Sequence, residues 1–507
     1  MRQPAKSISY GPPVGGWDAR NALADMPIKN AVLMDNFFPS TDRVTLRRGS
    51  TEHASITGGH DVKTLMEYIP PSGTKKLFAG AGTDIYDVTA SGTATAQSLT
   101  LANGYFVTAQ FSNPAGHHLF AANGVDAMQV YSGSSWAAAS ISASGFTLAN
   151  VAWVSSHQNR LWFGEKNSLK AWYLAVQTIS GTALGFDLSS VASRGGYIVG
   201  MGTWTRDGGS GADDLAVFLT SEGEAIIYAG TDPNATATWG LVGVFRIGRP
   251  LNRRCMVKAG SDLVVATEDG VVPLSRVLSM DRSQTEQVAL STQIDSAFAD
   301  AVRLGGINDD DWQVTLYTGG TMLVVNVPVG GGNQQYVFNT ITGAPCKFTG
   351  MDALCWGLFD GELYFGDADG KVVKADDGEH DRGVTIVGDA VQAFSYFRAP
   401  GRTKAFKRVE ALFESEADPQ PVIDVMTDFK VSQPSALPSP VPTDASAWGT
   451  GVWDDAVWGG DPRAVWRGWS SVTGHGYSAA IRVRVNSRYS RPAWVATNWL
   501  YVPGGSL

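Results

Sequence analysis

A recurring strand unit constrains this chain more than any other feature of its sequence. Short apolar runs end in a small residue and lead into a turn: Leu77-Phe78-Ala79-Gly80, Leu119-Phe120-Ala121-Ala122, Leu161-Trp162-Phe163-Gly164, Leu263-Val264-Val265-Ala266 and Leu363-Tyr364-Phe365-Gly366. Weaker copies start at Leu215 and Met322, so successive leading residues are separated by 42, 42, 54, 48, 59 and 41 residues. Four-stranded propeller blades repeat at roughly 40 to 50 residues, and no such unit can bury both of its faces alone. Asn123-Gly124, Asp269-Gly270 and Asp369-Gly370 follow three of the runs, and such pairs favour the positive φ of tight hairpins. Stacking around an axis would cover the faces, whereas an ordinary sandwich with evenly spaced hairpins is the plainer alternative.

The reading is therefore all-β: a β-propeller of six to eight blades over residues 61–385, preceded by an extended closure strap at 1–60. A further β-sandwich-like domain is expected at 386–507. Its strands read as Val391 to Phe397, Arg408 to Phe413, Val422 to Val425, Ala480 to Val485 and Trp494 to Val502. A Pro- and Trp-rich insertion at 432–470 interrupts it. Pro434, Pro438, Pro440 and Pro442 make a stiff polyproline-like spacer, and Trp448, Trp453 and Trp458 follow at intervals of five, then Trp466 and Trp469. That spacing fits neither helix nor strand. Tryptophan is enriched where proteins bind one another, so these rings either meet a partner or pack back onto the sandwich.

Composition limits what such a scaffold does. With 507 residues the chain exceeds one hydrophobic core, and 58 Gly with 16 Trp suit short strands, tight turns and aromatic layers. The formal charge of −9 supplies no overall positive field for nonspecific nucleic-acid binding, although it permits DNA to pass nearby. Cys255, Cys346 and Cys355 form neither a disulfide framework nor a CxxC pair, which points to a reducing compartment. The N-terminus lacks the apolar stretch of a secretory signal, and no run is long enough to span a bilayer.

Catalytic signatures are missing: the sequence holds no HExxH, Walker A or GxSxG. The adjacent His117 and His118 would face opposite sides of a strand, Asp367-Ala368-Asp369-Gly370 reads as a hairpin turn, and Asp309-Asp310-Asp311 reads as a solvated loop. No enzyme activity, cofactor or metal is expected. Arg253 and Arg254, with Arg246 and Arg249 nearby, form a modest basic cluster, suited to surface ion pairs or to an acidic neighbouring subunit.

Three segments carry a resemblance: Asn36-Phe37-Phe38-Pro39 with Leu46-Arg47-Arg48-Gly49, His157-Gln158-Asn159-Arg160-Leu161-Trp162-Phe163, and Val242-Gly243-Val244-Phe245-Arg246-Ile247-Gly248-Arg249-Pro250. Together they resemble the tail nozzle or hub proteins of short-tailed bacteriophages, a group that includes packaged-DNA stabilisation proteins. The resemblance implies a structural virion protein, assembled in the host cytoplasm as a homo-oligomeric ring, expected to be a hexamer. Such a ring continues the DNA channel below portal and adaptor proteins, retains double-stranded DNA until ejection without reading its sequence, and carries fibres, spikes or a needle. It implies no catalytic residues and no stable membrane association. Trp448, Trp453, Trp458, Trp466, Trp469, Arg253 and Arg254 are the candidate subunit or partner interface. A carbohydrate-binding or carbohydrate-active propeller is the second reading, and a general interaction scaffold the third.

Overall fold

The computed structural model describes residues 4–205, 214–235, 237–277, 288–330, 332–440 and 464–506. Two compact units emerge, one formed by 52–334 with 352–374 and the other by 1–51, 335–351 and 375–507.

The first unit is a seven-bladed β-propeller. Its inner strands are Val62–Tyr68, Val107–Asn113, Val151–His157, Ile198–Trp204, Met256–Ala259, Gln313–Tyr317 and Cys355–Phe359. Each pairs antiparallel with the next strand in sequence. From the second blade on, each also packs beside the inner strand of the following blade, Val62–Tyr68 meets the second strand Gly116–Ala122 of the second blade, and Cys355–Phe359 returns to Val62–Tyr68, so the ring closes by packing while every sheet stays open. The closure is reinforced by chain from before the first blade. Strand Ser50–Ser55 adds to the edge of Lys371–Ala375 in the seventh blade and meets Gly92–Thr93 of the first in parallel.

All seven leading residues of the sequence repeat fall on second strands, which explains their composition. The second strand of a blade is covered on both faces by neighbouring blades, so it reads as an unbroken apolar run. Of four layers between blades, three are rich in aromatic rings and the one between the last and first blades is mainly aliphatic. Leu77 and Ala79 pack with Val62, Cys355 and Tyr364 between the last and first blades. Phe78 meets Leu119 and Tyr131 between the first and second, Phe120 meets Leu161 and Phe163 next, and Trp153 and Trp162 meet Phe218 and Trp239 after that. Trp162 is fully buried, with the Trp239 ring stacked 5.8 Å away. The longest spacing, 59 residues, follows from an insertion: helix Asp295–Gly305 lies between the fifth and sixth blades.

Two of the resemblance segments are structural elements. In His157-Gln158-Asn159-Arg160 the central pair has φ of 48° and 54°, the left-handed geometry of a two-residue hairpin loop, and it joins the first two strands of the third blade. In the second unit Asn36 and Arg47 meet. The Arg47 Nε donates to Asn36 Oδ1 at 2.9 Å, while its two terminal nitrogens donate to both oxygens of Asp381 and to the carbonyls of Arg48 and Thr349. Arg47 is 2% exposed, so this network fully replaces its lost water.

The second unit contains two groups of strands. In one, Arg402–Ser415 pairs with Ala493–Ser506, which also takes Lys6–Tyr10 along its length. In the other, Ile386–Gln392 lies between Asn30–Asp35 and Ala479–Ser487, with Val422–Thr427 beyond. The N-terminal segment thus belongs with this unit up to residue 51, where a strap for the propeller had been expected, because its strands have their partners at 386–392 and 493–506. The strand expected at Val391 to Phe397 instead spans Ile386–Gln392. Phe397 and Arg398, at φ of 53° and 58°, adopt the left-handed conformation that extended chain excludes.

Candidate functional site

The loops that enter the inner strands gather at one end of the propeller, around its axis. Arg253 and Arg254 lie there, on the loop before the fifth blade, and both are turned into the ring. Asn252 fixes this loop: its amide donates to the carbonyls of Asp309 and Trp312, and its Oδ1 accepts from the Arg254 N–H at 2.8 Å. Arg253 then reaches the carbonyls of Asn123 and Ala152, on the second and third blades, at 3.4 and 3.0 Å. Arg254 reaches the other way, to Lys63 O at 2.8 Å and Asp310 O at 2.5 Å, on the first and sixth. Both guanidiniums lie over the ring of Tyr105, at 4.9 and 4.2 Å, which is 4% exposed. Five blades are thereby tied across the axis by two side chains.

Gly124 is needed for this approach. It sits at φ +80°, and a Cβ there would lie 3.3 Å from Ala152 Cβ and 3.4 Å from the Arg253 guanidinium. Asp310 joins the same cluster. Burial raises its carboxyl above the usual range, and the two arginines pull it back down. Above the arginines opens a cavity of about 290 Å³, lined by Asn103, Lys166, Asn167, Tyr197, Arg253 and Asp310 among others. Lys166 has no ion-pair partner among the described residues. The arrangement offers two cations, amide groups and one carboxyl to a small polar ligand.

The three consecutive acids are each held separately. Asp309 accepts the Asp311 N–H, and Asp311 accepts from Lys63 Nζ at 3.2 Å and Asn333 at 3.1 Å. Asp367 caps the β-turn of Asp369-Gly370 by accepting two backbone N–H groups. His118 is buried, and His117 bonds Ser112 and Gln110. Among the described residues no three His, Cys, Asp or Glu side chains come together as a metal requires, and no helix is long and apolar enough to cross a membrane.

Of the tryptophans, Trp448, Trp453 and Trp458 lie outside the described residues. Trp466 ends the short strand Ala464–Trp466, where its indole donates to Ser415 O at 3.0 Å, and Trp469 is 43% exposed. One surface was not singled out from the sequence as an interface. The outer strand of the fourth blade, Trp239–Arg246, has no strand partner on its far side among the described residues, and its Leu241 and Val242 are 48% and 49% exposed. An eight-residue edge with no charge before Arg246 is what soluble proteins usually avoid. The signal was present in Trp-Gly-Leu-Val-Gly-Val-Phe, an apolar run too uniform for a strand with one solvated face.

No protein-family profile matches the chain, and no curated protein matches it in sequence. Among solved structures it is similar to the WD40 β-propeller domain of Doa1 at 10% identity and TM-score 0.38, covering 64% of this chain and 96% of that one. It is similar to the Myceliophteria thermophila Cps50 (Swd1) β-propeller domain at 12% identity and TM-score 0.38, over 64% and 99% of the two chains. The BBS1N chain crystallised with ARL6DN gives 10% identity and TM-score 0.41, over 67% and 98%. The propeller fold rests on the strand order described above.

Proposed function

We propose that this chain is a structural, non-catalytic subunit of a bacteriophage tail ring. It would continue the DNA channel below portal and adaptor proteins and serve as attachment point for fibres, spikes or a needle. The observation that carries the reading is the bare outer strand Trp239–Arg246, which includes part of a resemblance segment. An edge of this length presents unpaired N–H and C=O groups beside half-exposed Leu241 and Val242, a template for strand addition by a neighbouring subunit. The resemblance of the three segments to nozzle and hub proteins supplies the setting, and the charge of −9 suits walls that a polyanion must slide past. The test is sedimentation of the purified chain beside Val242→Lys. A ring-sized oligomer that the substitution dissociates at least tenfold more readily is expected. A chain that stays monomeric at every concentration, or an oligomer indifferent to the lysine, overturns it.

A second reading is favoured by the polar cavity at the propeller mouth: binding of a sugar-sized polar ligand, with Lys166, Asn167 and Arg253 as donors and Asp310 as acceptor. Glycan binding that falls at least fivefold in Lys166→Ala supports it. Absence of binding to neutral and acidic sugars alike removes it.

A further inference from the structure

The proline-rich stretch is bound in a regular way that its composition alone does not reveal. Strand Ala479–Ser487 sends every second side chain to it. Arg482 donates to Ser432 O at 3.2 Å, Arg484 to Ser435 O at 2.8 Å, and Asn486 to Pro438 O at 3.0 Å. Residues two apart on a strand share a face, and carbonyls three apart share an edge of a polyproline II helix. One period of each is therefore matched to one period of the other. The steps differ, about 6.7 Å on a strand against about 9.3 Å on polyproline II, and the long, pivoting arginine arms absorb the difference.

The receptor side is pre-set. Asp389 holds Arg482 Nε and a terminal nitrogen at 2.8 and 2.6 Å and lies 3.2 Å from Arg484 Nε. Asp424, on the neighbouring strand and opposite Arg482, accepts from both the N–H and the hydroxyl of Ser435, at 3.0 and 2.6 Å. This clasp selects a small hydroxyl residue at the central position. On the ligand side, Pro434 and Pro438 fix φ and favour extended neighbours before them, so little chain entropy is lost on docking. Ser432 and Ser435 stay exposed while bound, so hydrogen bonds rather than apolar burial hold the segment.

We infer that this sheet face is a recognition surface for a polyproline II segment with serine at its centre, and that in an assembly its occupant is residues 432–438 of a second copy. A segment held by carbonyl hydrogen bonds and little apolar burial exchanges readily. A neighbour in a ring presents the identical sequence at an effective concentration comparable to the chain's own. The exchange rests on the ring reading above; the recognition does not.

A fluorescent peptide of residues 430–442 is titrated against the full chain and against a variant whose residues 432–440 are replaced by an equal length of Gly and Ser. The peptide is expected to bind the variant at least tenfold more tightly than the parent, whose face is already occupied. Adding Asp424→Ala and Asn486→Ala to the variant should weaken binding at least tenfold, as should glycine at both Pro434 and Pro438 of the peptide. No binding by a variant whose far-ultraviolet spectrum is that of the parent overturns recognition. For exchange, the Gly/Ser variant is mixed with a chain carrying an intact segment and Asp424→Ala with Asn486→Ala. Pairing on mixing, absent from either alone, supports it, and absence of pairing overturns it. Pairing by chains whose parent forms no ring would remove the ring reading and leave this one standing.

Discussion

His157 shows how much a single buried side chain can set. It ends the inner strand of the third blade, 3% exposed, with Nδ1 bonded to Thr203 Oγ1 at 3.0 Å and Nε2 without a hydrogen-bond partner among the described residues. Burial pushes its pKa down to about 4, against a smaller upward pull from Asp214. A base depressed in this way is neutral in the folded chain and protonated in the unfolded one at intermediate pH. Its contribution is complete above about pH 6.5 and is lost as pH falls toward 4, by about 3 kcal/mol in total. His157→Gln is expected to flatten the acid side of the stability profile, seen as a urea midpoint that falls less between pH 7 and pH 5. An equal fall in both proteins would contradict this. The thiols make a second test at the same scale. Cys255, Cys346 and Cys355 are all buried, with burial pushing the first and last up to about 12. Native protein should leave all three unalkylated at pH 8 for hours, and denaturant should expose all three at once.

At the scale of the element, the arginine loop and the closing strand show what local sequence can and cannot convey. Second strands were legible because covering both faces demands an apolar run, and so were the short hairpins at Gly270 and Gly370, whereas Gly124, at φ +80°, sits in a longer loop between Ala121 and Gln129. The direction taken by Arg253 and Arg254 was not, because their partners are carbonyls at Lys63, Asn123, Ala152 and Asp310, brought near only by the ring. An acid at 253 would therefore face carbonyl oxygens, and Arg253→Glu should destabilise the monomer by about 2–4 kcal/mol in a urea titration. Loss of oligomers with unchanged monomer stability would contradict that placement. The closing strand is the counterpart. Ala54 is 1% exposed and packs with Val62, Leu77 and Val372 where the seventh blade meets the first. Ala54→Asp places an unpaired charge there and should cost about 3 kcal/mol or more, with hydrogen exchange rising first in the first and seventh blades.

For the whole molecule, the filled propeller mouth constrains the proposed ring. Arg253, Arg254 and Tyr105 bridge the propeller mouth from blade to blade, and neither guanidinium can leave without stranding the carbonyls it satisfies. A duplex is far wider than a propeller mouth closed by two side chains. In a tail ring the lumen must then lie between subunits, with each propeller turned as a solid block toward it. Electron microscopy of the purified chain or of the parent particle is expected to show a central hole bounded by separate propellers, each with its own axis closed. A duplex-wide hole within one propeller would contradict the filled mouth. Propellers without rotational order about any shared hole would contradict the ring, leaving a polar-ligand or docking role for the same scaffold.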